Sequence, residues 1–250
     1  MIRSLGVVFL LLVGPACSQE TAPRPPAAPP VEVPPPLTEY MGREIAPYMS
    51  HEAAPWLVRG SREQEENSAR VVEALELKPG QVVCDLGCGN GYYTLRFAPL
   101  VGEDGRILAV DIQPEMLALL ERRAAEAEVE NVRPILGTVI DPKLPKGKVD
   151  LVFMVDVYHE FSHPEQMLAA IRESLTTHGR VVLVEFRAED PKVPIKKRHK
   201  MTEAQCVKEM TANGFRLVES FDELPWQHML FFKRAPDPAP APEKKEEEGS

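Results

Sequence analysis

From Ser61 onward the apolar positions fall into two patterns, short unbroken runs and helical faces, and the two alternate along the chain. Ser61-Arg62-Glu63-Gln64 offers a capping box, and Val71, Val72, Leu75 and Leu77 form one helical face that Pro79-Gly80 stops. A strand over 81–86 follows. The pattern then predicts a helix over 91–99, a turn at 102–105, a strand over 106–110, a helix over 114–128 and strands over 132–136 and 149–155. A helix over 164–177 and a strand over 180–186 complete the alternation. The runs at 82–83, 107–110, 151–155 and 181–184 carry no polar residue, as expected of parallel strands covered on both faces. The last third changes rhythm. A helix over 202–212 ends at Asn213-Gly214, and strands over 215–220 and 228–233 make a terminal hairpin. The expected fold is α/β: a doubly wound, mostly parallel, seven-stranded Rossmann-like sheet with a terminal antiparallel hairpin.

Composition limits this fold to part of the 250 residues. Residues 15–36 hold nine of the 25 prolines and residues 235–250 hold four more, so neither stretch can build a core. What remains suits one domain with a core large enough to dispense with staples. Arg3, an apolar stretch over 5–13 and Gly14-Pro15-Ala16-Cys17 read as a signal peptide, 1–17, followed by a polyproline linker, 18–36. Cys17 resembles the acylated cysteine of bacterial lipoproteins, although Gly14 departs from that pattern. The expected location is therefore the cell envelope, with membrane contact only through a lipid on Cys17. A start near Met41 would leave the protein cytoplasmic. Residues 37–61 are read as an N-terminal cap, 62–234 as the main domain and 235–250 as a disordered acidic tail. The cysteines lack paired zinc-type spacing, so no metal is expected. A net charge of −9 speaks against a general nucleic-acid partner.

The chemistry concentrates at Val82-Val83-Cys84-Asp85-Leu86-Gly87-Cys88-Gly89-Asn90-Gly91, a strand that runs through an acid into three alternate glycines. Open α/β sheets bind ligands at such strand ends, and glycine lets backbone approach the ligand closely. The third glycine comes one residue too early for a dinucleotide fingerprint. Asp85 would repel a pyrophosphate but suits a ligand carrying an ammonium and a sulfonium. Asp111 ends the next strand, 20 residues beyond Gly91, placed to accept from a ribose diol.

Asp85-x-Gly87-x-Gly89-x-Gly91, with Asp111 and Asp156 closing the second and fourth strands, resembles a class I S-adenosylmethionine-dependent methyltransferase of the type 11 or type 25 kind. The resemblance implies S-adenosylmethionine as cofactor. It places Asp85, Gly87, Cys88, Gly89 and Gly91 around the methionine part, Asp111 at the ribose and Ile112 with Gln113 at the adenine edge. Asp156 and Val157 would lie beside the transferring methyl. Thr138 and Val139 occupy the place where many members present an acid to adenine. Arg62 or Arg59 would clamp the methionine carboxylate, or else pair with Glu63, Glu65 and Glu66 within its own helix.

Methyl transfer from a sulfonium is a direct displacement, so a base is needed only where the acceptor must lose a proton. His159 is the first candidate base, with Glu160 beside it to raise its basicity or to meet a cationic substrate; a buried, hydrogen-bonded spacer is the alternative for His159. His199, at the end of the basic stretch 192–200, is the second. Two functions follow: a methyltransferase acting on a small-molecule acceptor, or a catalytically silent cofactor-binding or scaffolding module at the envelope. The sequence assigns neither the acceptor nor an oligomeric state.

Overall fold

The computed structural model describes residues 32–236. The signal segment 1–17, most of the 18–36 linker and nearly all of the 235–250 tail lie outside the described residues. Seven strands form one sheet: β1 (Val82–Leu86), β2 (Arg106–Asp111), β3 (Val132–Leu136), β4 (Val149–Val155), β5 (Leu175–Phe186), β6 (Phe215–Phe221) and β7 (Gln227–Arg234). Their order is β3-β2-β1-β4-β5-β7-β6, parallel from β3 to β5, with β7 antiparallel to both neighbours. The expected doubly wound sheet with a terminal hairpin is present. Within the hairpin it is β7 that joins β5, because its first six side chains are buried while those of β6 are largely exposed, as suits an edge. Strand order reverses between β1 and β4, so the carboxyl ends of these two strands open the crevice in which such sheets hold ligands.

The helices are α1 (Arg62–Glu66), α2 (Ser68–Ala74), α3 (Thr94–Val101), α4 (Pro114–Glu126), α5 (Pro164–Ser174) and α6 (Glu203–Ala212). Successive residues of one strand serve opposite cores. Cys84, Leu108, Val152, Met154, Val181 and Leu183 belong to one cluster, whereas Val83, Ile107, Leu151, Phe153, Val182 and Val184 belong to the other. This two-sided burial is the reason for the unbroken apolar runs.

Three boundaries differ from the sequence pattern. The single helix expected from Ser61 is split at Asn67, which turns left-handed (φ 51°) and caps α2 by accepting from Arg70 N, while Ser61 makes no side-chain cap. α3 begins at Thr94 rather than 91 because the glycine loop continues to that point. α5 stops at Ser174, and Thr176 and Thr177, β-branched, enter β5 instead.

The segment before α1 crosses the carboxyl edge of the sheet. It contains a two-stranded ribbon, Glu39–Tyr40 with Arg43–Glu44, and a 3₁₀ helix, His51–Val58. Arg43 fastens it by a bidentate pair to the buried Glu209 (2.7 and 3.1 Å) and by donating to His159 O (2.9 Å). Ala46 N donates to His159 O (3.2 Å), and Asn90 Nδ2 donates to Ala54 O (3.1 Å).

Candidate active site

β1 delivers Asp85 into the crevice and then turns through Gly87, Gly89 and Gly91, all at positive φ. Two of these positions demand glycine most plainly. At Gly91 (φ +82°) a Cβ would collide with Leu120 of α4, and at Gly89 (φ +52°) it would fall 2.5 Å from Leu57 Cδ1 in the overlying 3₁₀ helix. The loop is tied from the next strand as well: Gly87 N and Cys88 N both donate to Val110 O, and the Asp111 carboxylate accepts from Gly89 N (3.0 Å) and Gln113 N (2.9 Å). Asp111 thus spends part of its acceptor capacity on backbone. Burial raises its pKa, and these backbone donors oppose that rise. Asp85 Oδ2 accepts from Thr94 Oγ1 (2.5 Å). Burial pushes its carboxyl up to about 6, held back by Thr94 and by the nearby Arg62 guanidinium.

Arg62, Asp85, Gly87, Cys88, Tyr93 and Val155 line one cleft, with Leu57 above it. Arg62 is buried there, donating to Glu66 Oε2 (2.7 Å) and Leu57 O (2.7 Å), with its guanidinium over the Tyr92 ring. Arg59 is instead bound by Glu65 and Glu66 and lies on Trp56. Both arginines therefore have glutamate partners close in sequence, and only Arg62 reaches the cleft. Asp156 takes a left-handed conformation (φ 53°) at the end of β4; its Oδ2 accepts from Gln227 Nε2 (2.8 Å). Asp156 Oδ1 and Gln227 Oε1 are buried without a hydrogen-bond partner among the described residues. Val157 follows, its side chain against the space over Gly87.

The residues expected at the adenine edge have other engagements too. Gln113 accepts from His51 N (2.8 Å) and donates to Met49 O (2.9 Å), so its side chain links α4 to the cap, while Ile112 is half-buried beside it. Thr138 Oγ1 accepts from Asp141 N (3.0 Å) and so closes its own loop, with Val139 half-buried next to it.

At the β4 exit, three expected residues converge. His159 is buried, and its Nε2 lies 3.2 Å from His199 Nδ1 and 4.0 Å from Glu160 Oε1. Its chief partner is not Glu160 but Glu185, fully buried on β5, whose Oε2 is 2.7 Å from His159 Nδ1. Glu185 Oε1 also accepts from Tyr158 N and His159 N. Burial lowers the His159 pKa, but Glu185, with a smaller push from Glu160, outweighs it and leaves the imidazole more basic than usual. His199 moves the other way, through burial and the facing charge of His159, Arg198 and Lys196. Burial pushes Glu160 up to about 7, against the pull of His159.

Sequence reasoning missed Glu185 and Thr94; it marked Trp226-Gln227-His228 as a candidate roof of the acceptor pocket but not the bond from Gln227 to Asp156. An acid closing an otherwise apolar strand, as Glu185 does after Val181–Val184 in the sequence, was the available signal. Nothing near Gln227 in sequence points toward Asp156.

A strand-end acid, a glycine loop held by the acid of the next strand, and buried acceptors without a partner among the described residues stand together at the switch point, the arrangement of a class I nucleotide-cofactor domain. The chain belongs to the methyltransferase-domain family, which matches residues 77–234. It is 27% identical over 165 residues to the uncharacterized methyltransferase YcgJ of Bacillus subtilis, covering 65% of this chain and 64% of that one. It is 30% identical over 115 residues to a demethylmenaquinone methyltransferase of Symbiobacterium thermophilum, 46% of each. The chain thus spans less than two thirds of the length of either relative. Among solved structures, an S-adenosylmethionine-dependent methyltransferase from Aquifex aeolicus superposes with a TM-score of 0.70 at 21% identity, over 74% of this chain and 98% of that one. S-adenosylmethionine is the cofactor of this domain class, and the site fits it: unpartnered acceptors and two buried carboxylates suit a ligand rich in cationic donors and hydroxyls.

Proposed function

We propose that the chain transfers the methyl group of S-adenosylmethionine to a small-molecule acceptor. The observation that carries this reading is the cap. Residues 43–57 fasten at Glu209, His159, Gln113 and Asn90, and so roof the carboxyl edge of the sheet beside the cofactor residues. A roofed site admits a small molecule and excludes water more readily than it admits a polymer, and the similar demethylmenaquinone methyltransferase is named for a small-molecule acceptor.

When bound, S-adenosylmethionine supplies an electrophilic methyl on a sulfonium. The chain's work is to align the partners. Asp85 and the glycine loop hold the methionine end, Asp111 the ribose, and Arg62 the charge balance of the cleft. Asp156 and Gln227 offer acceptors at the β4 end, where His159, Glu160 and His199 border the acceptor's space. Export through residues 1–17 is part of the same proposal, and recovery of the protein solely in the cytosolic fraction would overturn that part.

Calorimetric titration with S-adenosylhomocysteine, followed by a screen of small acceptors with labelled S-adenosylmethionine, tests the reading. Binding and turnover support it; binding with no turnover on any acceptor favours a silent cofactor-binding module. Asp111→Ala is expected to cost about 1–3 kcal/mol in stability, since it strands the buried Gly89 N–H group, and to weaken the cofactor as well. Denaturant unfolding with and without cofactor separates the two effects.

Asp85 sets a pH dependence. Its folded pKa of about 6 lies above its ordinary value of 3.8, so between these values the folded state holds the extra proton. Stability of the cofactor-free protein should therefore fall as pH rises through this window. Affinity for the cationic cofactor should do the reverse, weakening as pH falls through about 6 and the carboxylate is neutralised. Titrations from pH 5 to pH 8 read this directly, and an affinity independent of pH would remove Asp85 from the site.

A further inference from the structure

We propose that His159 Nε2, His199 Nδ1 and the Glu160 carboxylate bind one divalent transition-metal ion beside the methyl-transfer site. The three donor atoms lie within 4.8 Å of one another. The two imidazole nitrogens face each other at 3.2 Å, close to the spacing of about 3.3 Å that two nitrogens take on one tetrahedral zinc with bonds of about 2.0–2.1 Å. Glu160 Oε1 lies 4.0 Å from His159 Nε2, so the three donors border one small volume.

The surroundings match a metal site beyond the ligands themselves. A metal-bound histidine ordinarily donates its other ring N–H to a carboxylate, which fixes its tautomer and aims the lone pair at the ion. Glu185 does this for His159 at 2.7 Å, and is itself held by the backbone N–H groups of Tyr158 and His159. This leaves the Nε2 lone pair of His159 directed at His199. The charge balance also favours a cation. Glu185 and Glu160 flank the imidazoles, and the half-buried Arg43, whose guanidinium donates to His159 O, is engaged by Glu209. Lys196 and Arg198 lie on the His199 side, on the exposed stretch.

Two imidazoles and one carboxylate select a borderline ion such as zinc, iron(II) or cobalt(II) over magnesium or calcium, and three protein ligands leave positions open. On the methyltransferase reading, and only for this consequence, an open position would take an oxygen of the acceptor. A Lewis acid there lowers the pKa of a hydroxyl, so the acceptor would be a hydroxyl or enol compound able to ligate a metal. Cysteine spacing gave no hint of this site because its ligands are histidines and a glutamate, and His199 lies 40 residues from His159, on a short turn that only the fold brings to it.

The untagged full chain, stripped with a chelator and desalted, is titrated with cobalt(II) while visible d–d absorption is recorded. One ion per chain, displaced by zinc and unaffected by magnesium, is the expected result. His199→Ala should remove the absorption, and Glu185→Gln, which keeps all three ligands, should weaken binding about 10–100-fold. His178→Ala, on an exposed surface position, should bind as wild type and so exclude general surface-histidine binding. Retained wild-type affinity in His199→Ala, or no cobalt binding to a folded wild-type chain, overturns the proposal. A parallel titration with S-adenosylhomocysteine separates the two readings: cofactor binding without metal binding rejects the metal site alone, and metal binding without cofactor binding rejects the methyltransferase reading alone. Where His199→Ala melts below wild type, His199→Gln replaces it with the same expected loss.

Discussion

The Gly89→Val protein is expected to lose affinity for S-adenosylhomocysteine by more than about 100-fold. Gly89 sits at φ +52°, where a β-branched residue is a steric outlier costing on the order of 1–3 kcal/mol. Its new side chain would also enter the space held by Leu57 Cδ1, 2.5 Å from the added Cβ, on the underside of the cap. The neighbour is the end of a flexible side chain, so the cap can shift, but a loop displaced from Asp111 loses the Gly89 N–H bond that fixes its approach to the ligand. The effect should fall mostly on binding and less on unfolding. Calorimetry on protein of verified native circular dichroism measures it, and an affinity within threefold of wild type would mean that the loop does not touch the cofactor.

Arg62→Ala should be the harshest change to stability. Arg62 is 5% exposed and donates to Glu66, which is 1% exposed, and to Leu57 O. Removing one partner of a buried pair costs about 3–5 kcal/mol in general; Arg59 still holds Glu66 at 2.5 Å, so the low end, about 3 kcal/mol, is expected here. For a domain of this size that is a fall in Tm of roughly 6–12 °C. A second readout separates a charge role from mere packing. The guanidinium holds down the pKa values of Asp85 and Asp156, so its loss should move the pH at which cofactor affinity fails upward from about 6. Arg62→Lys should restore part of that pH behaviour but not the forked donation to Glu66 and Leu57 O or the stacking on Tyr92. An unchanged Tm in Arg62→Ala would show that the Arg62–Glu66 pair does not form.

Much of this was legible along the chain. The strands of the parallel half are apolar on both faces, so their runs stood out without any structure, and the glycine loop with Asp85 and Asp111 is local to two strand ends. Helix boundaries were less legible where one residue decided between two local outcomes, as Asn67 did in splitting α1 from α2. The expectation that Glu160 would raise the basicity of His159 rested on adjacency in sequence, and Glu160 contributes only the smaller push. In a turn, neighbouring side chains diverge, and the carboxylate on β5 came closer, at 2.7 Å against 4.0 Å.

The sequence by itself determined the class of sheet, the strand that bears the glycine loop and the acids that close the strands beside it, because periodicity and turn chemistry act over a few residues. Only the tertiary structure decided which of two arginines enters the cleft, that Gln227 holds Asp156, that residues 43–57 roof the site, and that His159, His199 and Glu185 meet. These pairings join residues 5 to 166 positions apart, and they are set by how the strands order themselves and where each loop leaves the sheet. No spacing in a single chain encodes that information, since it arises from packing both faces of one sheet at once.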